Sequence, residues 1–416
     1  MSTTPVRPDA RHVLLLGSMA ALAAVSSDLY LPSLPEVARD LGTSDYLAGV
    51  TLTATLLGGA IGQVFVGPLA DRFGRRPPAL VGIALFVVVA LGCAWAPNIW
   101  VLIGLRVLQG VFISSSQTVA MAVIRDRFTG SDAARMISRL MLVIGVAPLF
   151  APTVGGWIGG HWGWRGAFVG LAIFGACLWL LVWRKLPETL PPRLRRTGGV
   201  RTALAGYRTL LRDRAFMGYA VLPGLAFAAM MSYVVGSPFV LKGEYGLSTE
   251  QFGLVFALCG LGMVAAAQLN AALVGRVSPE AILRFAAPAL LVATSLLLVV
   301  AMTGAGGVVG LVVAIGVAIL PVQLIAPNAS AQALTRHGEI AGTAAACIGT
   351  MSTLFSGTVS PTVGLLGSSA VGMATVMVCC AVLCLLVVVL ATPVYRGRRR
   401  DRREAVAVVD VLRTEG

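Results

Sequence analysis

The chain has 416 residues, of which 57% are hydrophobic and only 12% are charged, a composition that excludes an ordinary soluble globular protein. Its formal net charge of +14 invites a nucleic-acid interpretation, but the basic residues fall in short segments between apolar stretches, which argues against a nucleic-acid partner. The seven cysteines lie in apolar stretches without metal or redox spacing, so we expect no metal site and no bound cofactor.

Apolar stretches of about 18 to 25 residues recur along the chain, each long enough to cross a bilayer as a helix. They predict an all-α integral membrane protein with twelve transmembrane helices. The first stretch follows Arg7 and Arg11 as in a signal peptide, but it is long and eleven others follow, so we interpret it as a membrane helix. In chain order the predicted spans are 13–33, 46–69, 79–96, 99–122, 136–159, 166–184, 216–237, 252–275, 281–303, 306–328, 340–366 and 369–392.

Lys and Arg residues mark one side of the predicted membrane. All but four of the 32 fall in the two terminal tails, in alternate loops or in the span ends next to those loops, the exceptions being Arg39, Arg106, Arg165 and Lys242. This bias predicts a multi-pass cell-membrane protein with both termini in the cytoplasm. The basic loops and tail would contact anionic lipid headgroups.

The spans divide into two groups of six, and the groups resemble each other. Gln63 matches Gln268 and Gln117 matches Gln323, at an offset of roughly 205 residues. The repeat predicts two pseudo-symmetric six-helix bundles with a transport site between them near the membrane midplane. Because one chain holds both bundles, we expect a monomer. The predicted parts are an N-terminal bundle (1–184), a cytoplasmic linker (185–215), a C-terminal bundle (216–392) and a basic tail (393–416).

Asp28 is the one acidic residue well inside a predicted span, and Arg106 is the one basic residue so placed. A carboxylate at membrane depth costs several kcal/mol unless it is paired, protonated or hydrated, so it indicates a functional site. Arg106 is expected roughly 10 Å below the outer surface, at a depth similar to that of Asp28. We predict an ion pair or a shared water network between them, which protonation of Asp28 would weaken. A structural ion pair or an acid facing the mouth is the alternative.

Span 4 carries a polar face. Arg106, Gly110, Ser114 and Gln117 follow a spacing of three to four residues, which places them on one side of a helix. We predict that this face lines an aqueous or substrate cavity, with hydrogen bonding between helices as the alternative. The other candidate cavity residues are Tyr30, Tyr233, Gln323 and Asn328.

The loop between spans 2 and 3 predicts a conformational gate. In it, Gly67 permits close approach of helices and Gly74 permits a tight turn. Asp71 is expected to meet the positive N-terminal end of a helix that begins near Ile340 and so to latch the two halves. The alternative is an ordinary turn whose basic residues only set the orientation in the membrane. That alternative explains the arginines but not the spacing of the glycines and the acid. The candidate gate residues are Gly67, Asp71, Arg72, Gly74, Arg75 and Arg76.

Span 5 combines proline with glycine at Gly145, Pro148, Pro152, Gly155 and Gly156. Proline kinks a helix and glycine lets neighbouring helices approach. Such a bent, closely packed helix suits an interface between the two halves, although glycine is also common in membrane helices generally.

These motifs together resemble the twelve-span drug–proton antiporters of the major facilitator superfamily, specifically the bicyclomycin-resistance (Bcr/CflA) group. The resemblance implies export of hydrophobic drugs by alternating access, with Asp28 and Arg106 in proton coupling. The loop motif identifies only the superfamily, whereas the patterns of spans 1 and 5 are more specific. The matching segments are Asp28 to Pro32, Gly67 to Arg76, Arg106 with Gly110, and Pro148 to Gly156 followed by Gly163-Trp164-Arg165.

The sequence also restricts the energy source and the alternatives. Neither of its lysines, Lys185 and Lys242, lies in an ATP-binding Gly-Lys-Ser/Thr motif, so an ion gradient is expected to drive transport. A proton suits one carboxylate better than sodium, which needs several converging oxygens. The main alternative is an exporter or permease for a metabolite such as a sugar or amino acid, but the second half offers no membrane-depth charge. A membrane enzyme is disfavoured because no catalytic constellation is present.

Overall fold

The computed structural model describes residues 10–128, 130–191, 209–274, 276–336 and 341–395. This part of the chain is almost entirely helical and contains no strand, which confirms the predicted all-α class. The helices are α1 (Ala10–Asp28), α2 (Leu34–Asp40), α3 (Asp45–Phe73), α4 (Arg76–Ala94), α5 (Ile99–Arg127), α6 (Gly130–Lys185), α7 (Arg214–Pro238), α8 (Thr249–Val274), α9 (Pro279–Thr303), α10 (Gly307–Arg336), α11 (Ala341–Val359), α12 (Thr362–Leu365) and α13 (Ala370–Leu390).

Ten helical stretches in the described residues are long and apolar enough to cross a membrane. Large apolar side chains cover the faces that point away from the protein: Phe65, Val88, Phe285 and Val309 are each more than half exposed. Such a surface would promote aggregation in water, whereas lipid favours it.

The 56-residue helix α6 covers two predicted spans, 136–159 and 166–184. A straight helix of this length would extend about 84 Å, against an apolar bilayer core of about 30 Å. Gly163 breaks it with a left-handed φ of 68°, a conformation that glycine adopts without a steric penalty. The break therefore separates two membrane-length segments.

In two predicted spans the helix ends at least five residues before the predicted end, and proline is the reason in both. Helix α1 ends at Asp28 and is followed by a 3₁₀ turn, because Pro32 and Pro35 supply no backbone N–H. Helix α11 ends at Val359, two residues before Pro361. Asp28 is consequently the last residue of its helix.

By contacts, the described chain forms two compact units. The first contains α1 to α6 with Ser232–Val264 and Gly357–Met373, and the second contains Ala265–Ser356, the start of α7 and most of α13. Segments of the second sequence half thus belong to the first unit. The predicted division at 185–215 stays a prediction.

Helices α3 and α5 in the first unit approach each other closely through glycine. A Cβ at Gly58 would overlap the Val107 carbonyl oxygen, and a Cβ at Gly110 would overlap that of Thr55. Since lipid is as apolar as the protein interior, such backbone contact supplies packing energy that apolar burial alone does not. The second unit has its own core, in which Phe216, Leu290 and Ile325 are fully or almost fully buried.

Candidate functional site

Arg106 is the centre of a buried polar site. Its guanidinium is completely buried in α5, where Nε donates to the Thr51 carbonyl oxygen at 3.3 Å. Nη1 donates to Gln109 Oε1 at 2.5 Å and, more weakly, to Ser26 Oγ at 3.5 Å. The cation is thus held by oxygens that carry no formal charge, contributed by three helices.

Two aromatic rings complete the surroundings of Arg106. The guanidinium carbon lies 4.9 Å from the ring centre of Tyr30 and 5.6 Å from that of Phe168, both cation–π distances. Thr51 Oγ1 donates to the Ala48 carbonyl oxygen, so the Tyr30 hydroxyl donates to Thr51 Oγ1, at 3.1 Å. Tyr30, a predicted cavity residue, is fully buried and fixed at both ends of its side chain.

The predicted ion pair between Asp28 and Arg106 is wrong for this structure. Asp28 is half-buried and forms no salt bridge with any described residue. Neutral oxygens and aromatic rings already occupy Nε, Nη1 and the faces of the guanidinium, while Nη2 and the neighbouring Gln109 Nε2 have no hydrogen-bond partner. Arg106 therefore retains donors for a further acceptor, and the predicted shared water network stays a prediction.

Asp28 has two close neighbours from other helices. The Tyr233 hydroxyl lies within electrostatic range of Asp28. A Cβ at Gly155 would overlap the carbonyl oxygen of Leu29, the residue after Asp28. The glycine at 155 is thus required for α6 to pass directly against the end of α1 that carries the acid.

The polar face of α5 makes contacts between helices. Gly110 meets the backbone of α3, and Ser114 is buried beside Gly62 with its hydroxyl donated to the Val111 carbonyl oxygen at 2.7 Å. These contacts show that both residues pack helices together. Their predicted role in lining a cavity stays a prediction. Gln117 is half-buried.

The predicted cavity residues of the second half occupy different environments. Tyr233 is buried and stacks on Phe256, with ring centres 5.6 Å apart, in the first unit. In the second unit, Asn328 Nδ2 donates to Asn270 Oδ1 at 2.6 Å and joins α10 to α8. Gln323 lies one turn or more away on α10 and is half-buried.

The candidate gate loop is organised around Arg75. Its Nη1 contacts Asp71 Oδ1 at 2.5 Å, and its Nε contacts Asp126 Oδ2, at the end of α5, at 2.9 Å. Burial would lower the pKa of the Arg75 guanidinium, but the hydrogen bonds that it donates to Asp126 and Asp71 outweigh burial and raise that pKa. Gly74 makes the turn into α4 with a left-handed φ of 98°.

Asp71 therefore has a partner within its own loop, which differs from the predicted latch to a helix near Ile340. That helix start lies outside the described residues, so the latch stays a prediction. Arg76 donates to the Trp183 carbonyl oxygen at 2.7 Å. Gly67 has nothing within 4 Å of its Cβ position, so no close approach of helices occurs there. Arg72 forms no ion pair with any residue that the structure describes.

Glu188, just after α6, caps the N-terminus of α4. Its carboxylate accepts hydrogen bonds from the backbone N–H of Arg75 at 2.7 Å and of Arg76 at 3.2 Å. It also accepts from the N–H groups of Thr189 and Leu190 at 3.0 Å. Burial would raise the pKa of Glu188, but these four donors lower it below its ordinary value, as expected for an acid at a helix N-terminus.

The proline–glycine segment of α6 contacts α8 as well as α1. Thr153 Oγ1 donates to the Gly253 carbonyl oxygen at 3.4 Å, and a Cβ at Gly156 would lie 2.9 Å from the Thr249 carbonyl oxygen. Pro152 is buried nearby. The environments of Gly145 and Pro148 lie outside the described residues.

Sequence reasoning missed Gln109, Thr51, Asp126 and Glu188. Gln109 could have been found one helical turn after Arg106. Asp126 and Glu188 are acids at span ends on the same predicted side as Arg75, so pairing charges across loops of one side would have found them. Thr51 contributes a backbone oxygen to Arg106, which no residue pattern reveals.

A family comparison decides the class of protein. The model of the Major Facilitator Superfamily matches residues 16–361. The chain belongs to the major facilitator superfamily. It is accordingly a multi-pass membrane transporter of small substrates rather than an enzyme, and the predicted major facilitator fold is confirmed.

Named relatives of this major facilitator transporter support the drug-efflux group. It is 37% identical over 371 residues to the uncharacterized MFS-type transporter YdgK of Bacillus subtilis, covering 89% of this chain and 92% of YdgK. It is 31% identical to the bicyclomycin resistance protein homolog of Haemophilus influenzae, over 82% of this chain and 85% of that protein. It is also 30% identical to a chloramphenicol resistance protein of Pseudomonas aeruginosa, over 82% of this chain and 81% of that protein.

A solved structure shows the same fold at low identity. The crystal structure of the D-xylose–proton symporter matches with a TM-score of 0.74 and 17% identity, over 92% of this chain and 98% of that one. At this identity the likeness concerns the fold alone.

Proposed function

We propose that this transporter exports hydrophobic drugs in exchange for protons, with Asp28 as the proton carrier. One observation carries the proposal: a fully buried Arg106 with unpartnered N–H groups, on a site whose helices include the one that ends in the half-buried Asp28. A buried cation with free donors and an unpaired carboxyl group, both in the first unit, could adopt two alternative charge arrangements.

Protonation of Asp28 would select between those states. When Asp28 is neutral, neutral oxygens and two rings hold Arg106, as the structure has it. When Asp28 loses its proton, its charge would be attracted to the free Nη2 donors of Arg106, and the ends of α1 and α5 would be drawn together. Proton binding on one side of the membrane and release on the other would thereby alternate the two arrangements.

The charge bias supports the orientation in which both termini are cytoplasmic, with the Arg75 loop on the cytoplasmic side. In that orientation the Arg75 network would act as the gate, since it ties α3, α4 and α5 together. One proton moved inward releases ~2.3 kcal/mol per 100 mV, enough to sustain a drug gradient of roughly 40-fold.

Two observations favour apolar cargo. The relatives named for bicyclomycin and chloramphenicol resistance cover most of this chain. No acidic or basic residue falls well inside a predicted span of the second half, and the Asn270–Asn328 pair there is neutral. Such surroundings suit uncharged, hydrophobic molecules better than ionic metabolites.

The deciding experiment uses purified protein in proteoliposomes with an imposed pH gradient. Chloramphenicol and bicyclomycin are supplied in turn, and proton flux and drug movement are measured together. Drug-dependent proton flux is expected for the wild type and is expected to be lost in Asp28→Asn. Proton flux that responds to sugars or amino acids, and not to either drug, would instead favour a metabolite transporter.

A further inference from the structure

A groove of about 520 Å³ lies beside the break in α6, on its membrane-spanning part. Its walls come from both sides of the break and include Trp157, Trp162, Arg165, Gly170 and Ile173. The volume is in the range of small-molecule sites, and the groove plays no part in the function proposed above.

Glycine gives the groove its depth. Gly166 and Gly170 are one helical turn apart and so lie on the same face. A Cβ at Gly166 would approach Trp162 Cβ to 2.7 Å, and one at Gly170 would lie 3.2 Å from Ile158 Cδ1. From Arg165 to Ile173 the groove extends about 12 Å along the helix.

The two ends of the groove differ in polarity. At the break, the Arg165 guanidinium is 45% exposed, contacts Asp40 and lies 4.2 Å from the ring centre of Trp164. Trp157 and Trp162 pack edge to face at 5.2 Å beside it, and both are more than half exposed. At the other end Ile173 is 61% exposed and apolar. Indoles and a cation above an apolar wall are typical of the membrane–water interface.

We propose that this groove binds a phospholipid with a zwitterionic headgroup. One acyl chain lies along the glycine face, and the phosphate accepts hydrogen bonds from Arg165. Asp40 pairs with Arg165. Its carboxylate would accept hydrogen bonds from the primary ammonium of phosphatidylethanolamine, which the methylated amine of phosphatidylcholine cannot donate. The neighbouring charges of opposite sign thus match a phosphate joined to an ammonium better than a purely anionic headgroup.

Native mass spectrometry of the full chain tests the proposal. The protein is exchanged into mixed micelles containing equal amounts of phosphatidylethanolamine, phosphatidylglycerol and phosphatidylcholine. The wild type is expected to retain one phosphatidylethanolamine at collision energies that remove other lipids. Gly170→Leu, which fills the groove, is expected to lose it, and Arg165→Gln is expected to lose the preference for phosphatidylethanolamine.

Gly104→Leu is the matched control, because Gly104 is exposed on α5 and its Cβ position has nothing within 4 Å. It is expected to retain the lipid. If Gly170→Leu does not purify as a folded protein, Val169→Phe narrows the same groove from an exposed position. Equal lipid retention by wild type and the groove-filling variants would overturn the proposal, as would displacement of the lipid by equimolar chloramphenicol, which would assign the groove to drug. Neither result depends on whether Asp28 carries protons.

Discussion

The Tyr233 hydroxyl lies within electrostatic range of Asp28, although the two residues belong to opposite halves of the sequence. The predicted internal repeat, with its offset of roughly 205 residues, would make the two positions equivalent, with a phenol in the second half where the first half has an acid. The Tyr233 ring is stacked on Phe256, and its hydroxyl has no well-formed hydrogen bond.

Tyr233→Phe is expected to change the pH dependence of transport while leaving the protein folded. Removal of the hydroxyl takes away a polar group within electrostatic range of Asp28 and leaves the carboxyl group in more apolar surroundings, which favour its neutral form. The midpoint of the pH profile of drug-driven proton flux should therefore rise. An unchanged profile in a variant of unchanged thermal stability would contradict a role for Tyr233.

Asp28→Asn is expected to abolish efflux against a gradient and to preserve expression, because asparagine keeps the size of the side chain but carries no titrating proton. The measurement is drug accumulation in everted vesicles, with and without a protonophore. Glu250→Gln, at an exposed position in the first turn of α8, is the control and should transport normally. Full concentrative efflux by Asp28→Asn would remove it as the carrier.

Arg106→Lys is expected to lower transport by about tenfold or more, although it preserves the charge. An ammonium group cannot donate to the Thr51 carbonyl and Gln109 together while lying flat between the Tyr30 and Phe168 rings. Thermal stability and drug efflux are both measured. Arg125→Lys, exposed at the far end of α5, should behave as wild type.

Glu188 predicts an acid-sensitive contribution to stability. Since the fold lowers the pKa of Glu188 below its ordinary 4.5, the contribution is complete above pH 4.5 and is lost as the pH falls through the lowered pKa. Glu188→Gln should therefore lower the melting temperature at pH 7 and reduce its decline below pH 4.5. The control, Glu250→Gln, should leave the dependence of melting temperature on pH unchanged. The same unchanged dependence in Glu188→Gln would contradict a stabilising role of the cap.

Gly155→Ala and Gly160→Ala form a matched pair in α6. A Cβ at 155 overlaps the Leu29 carbonyl, whereas one at 160 meets nothing within 4 Å. Alanine at 155 should destabilise the protein by about 1–3 kcal/mol through overpacking. At 160 it should be neutral or slightly stabilising. Denaturation in detergent measures both, and equal effects would refute the assigned contact.

The sequence predicted the helices well because a bilayer imposes a minimum apolar length, which residue composition reports directly. It failed at the Asp28–Arg106 ion pair because span boundaries give depth only. Depth leaves the direction of a side chain around its helix undefined, and Arg106 turns toward Thr51 and Gln109. The Glu188 cap of α4 was missed because Glu188 and Arg76 are 112 residues apart along the chain.

The glycine contact between α3 and α5 has a mechanical consequence. Because their backbones are in contact at Gly58 and Gly110, the two helices are expected to move together as one rigid unit. In this pair of helices, α5 carries Arg106 toward one end and Asp126 at the other, about 30 Å away. On the proposed function, a tilt started at Arg106 by proton release from Asp28 would therefore reach the Arg75 loop through the two helices themselves, without any relay of side chains between them.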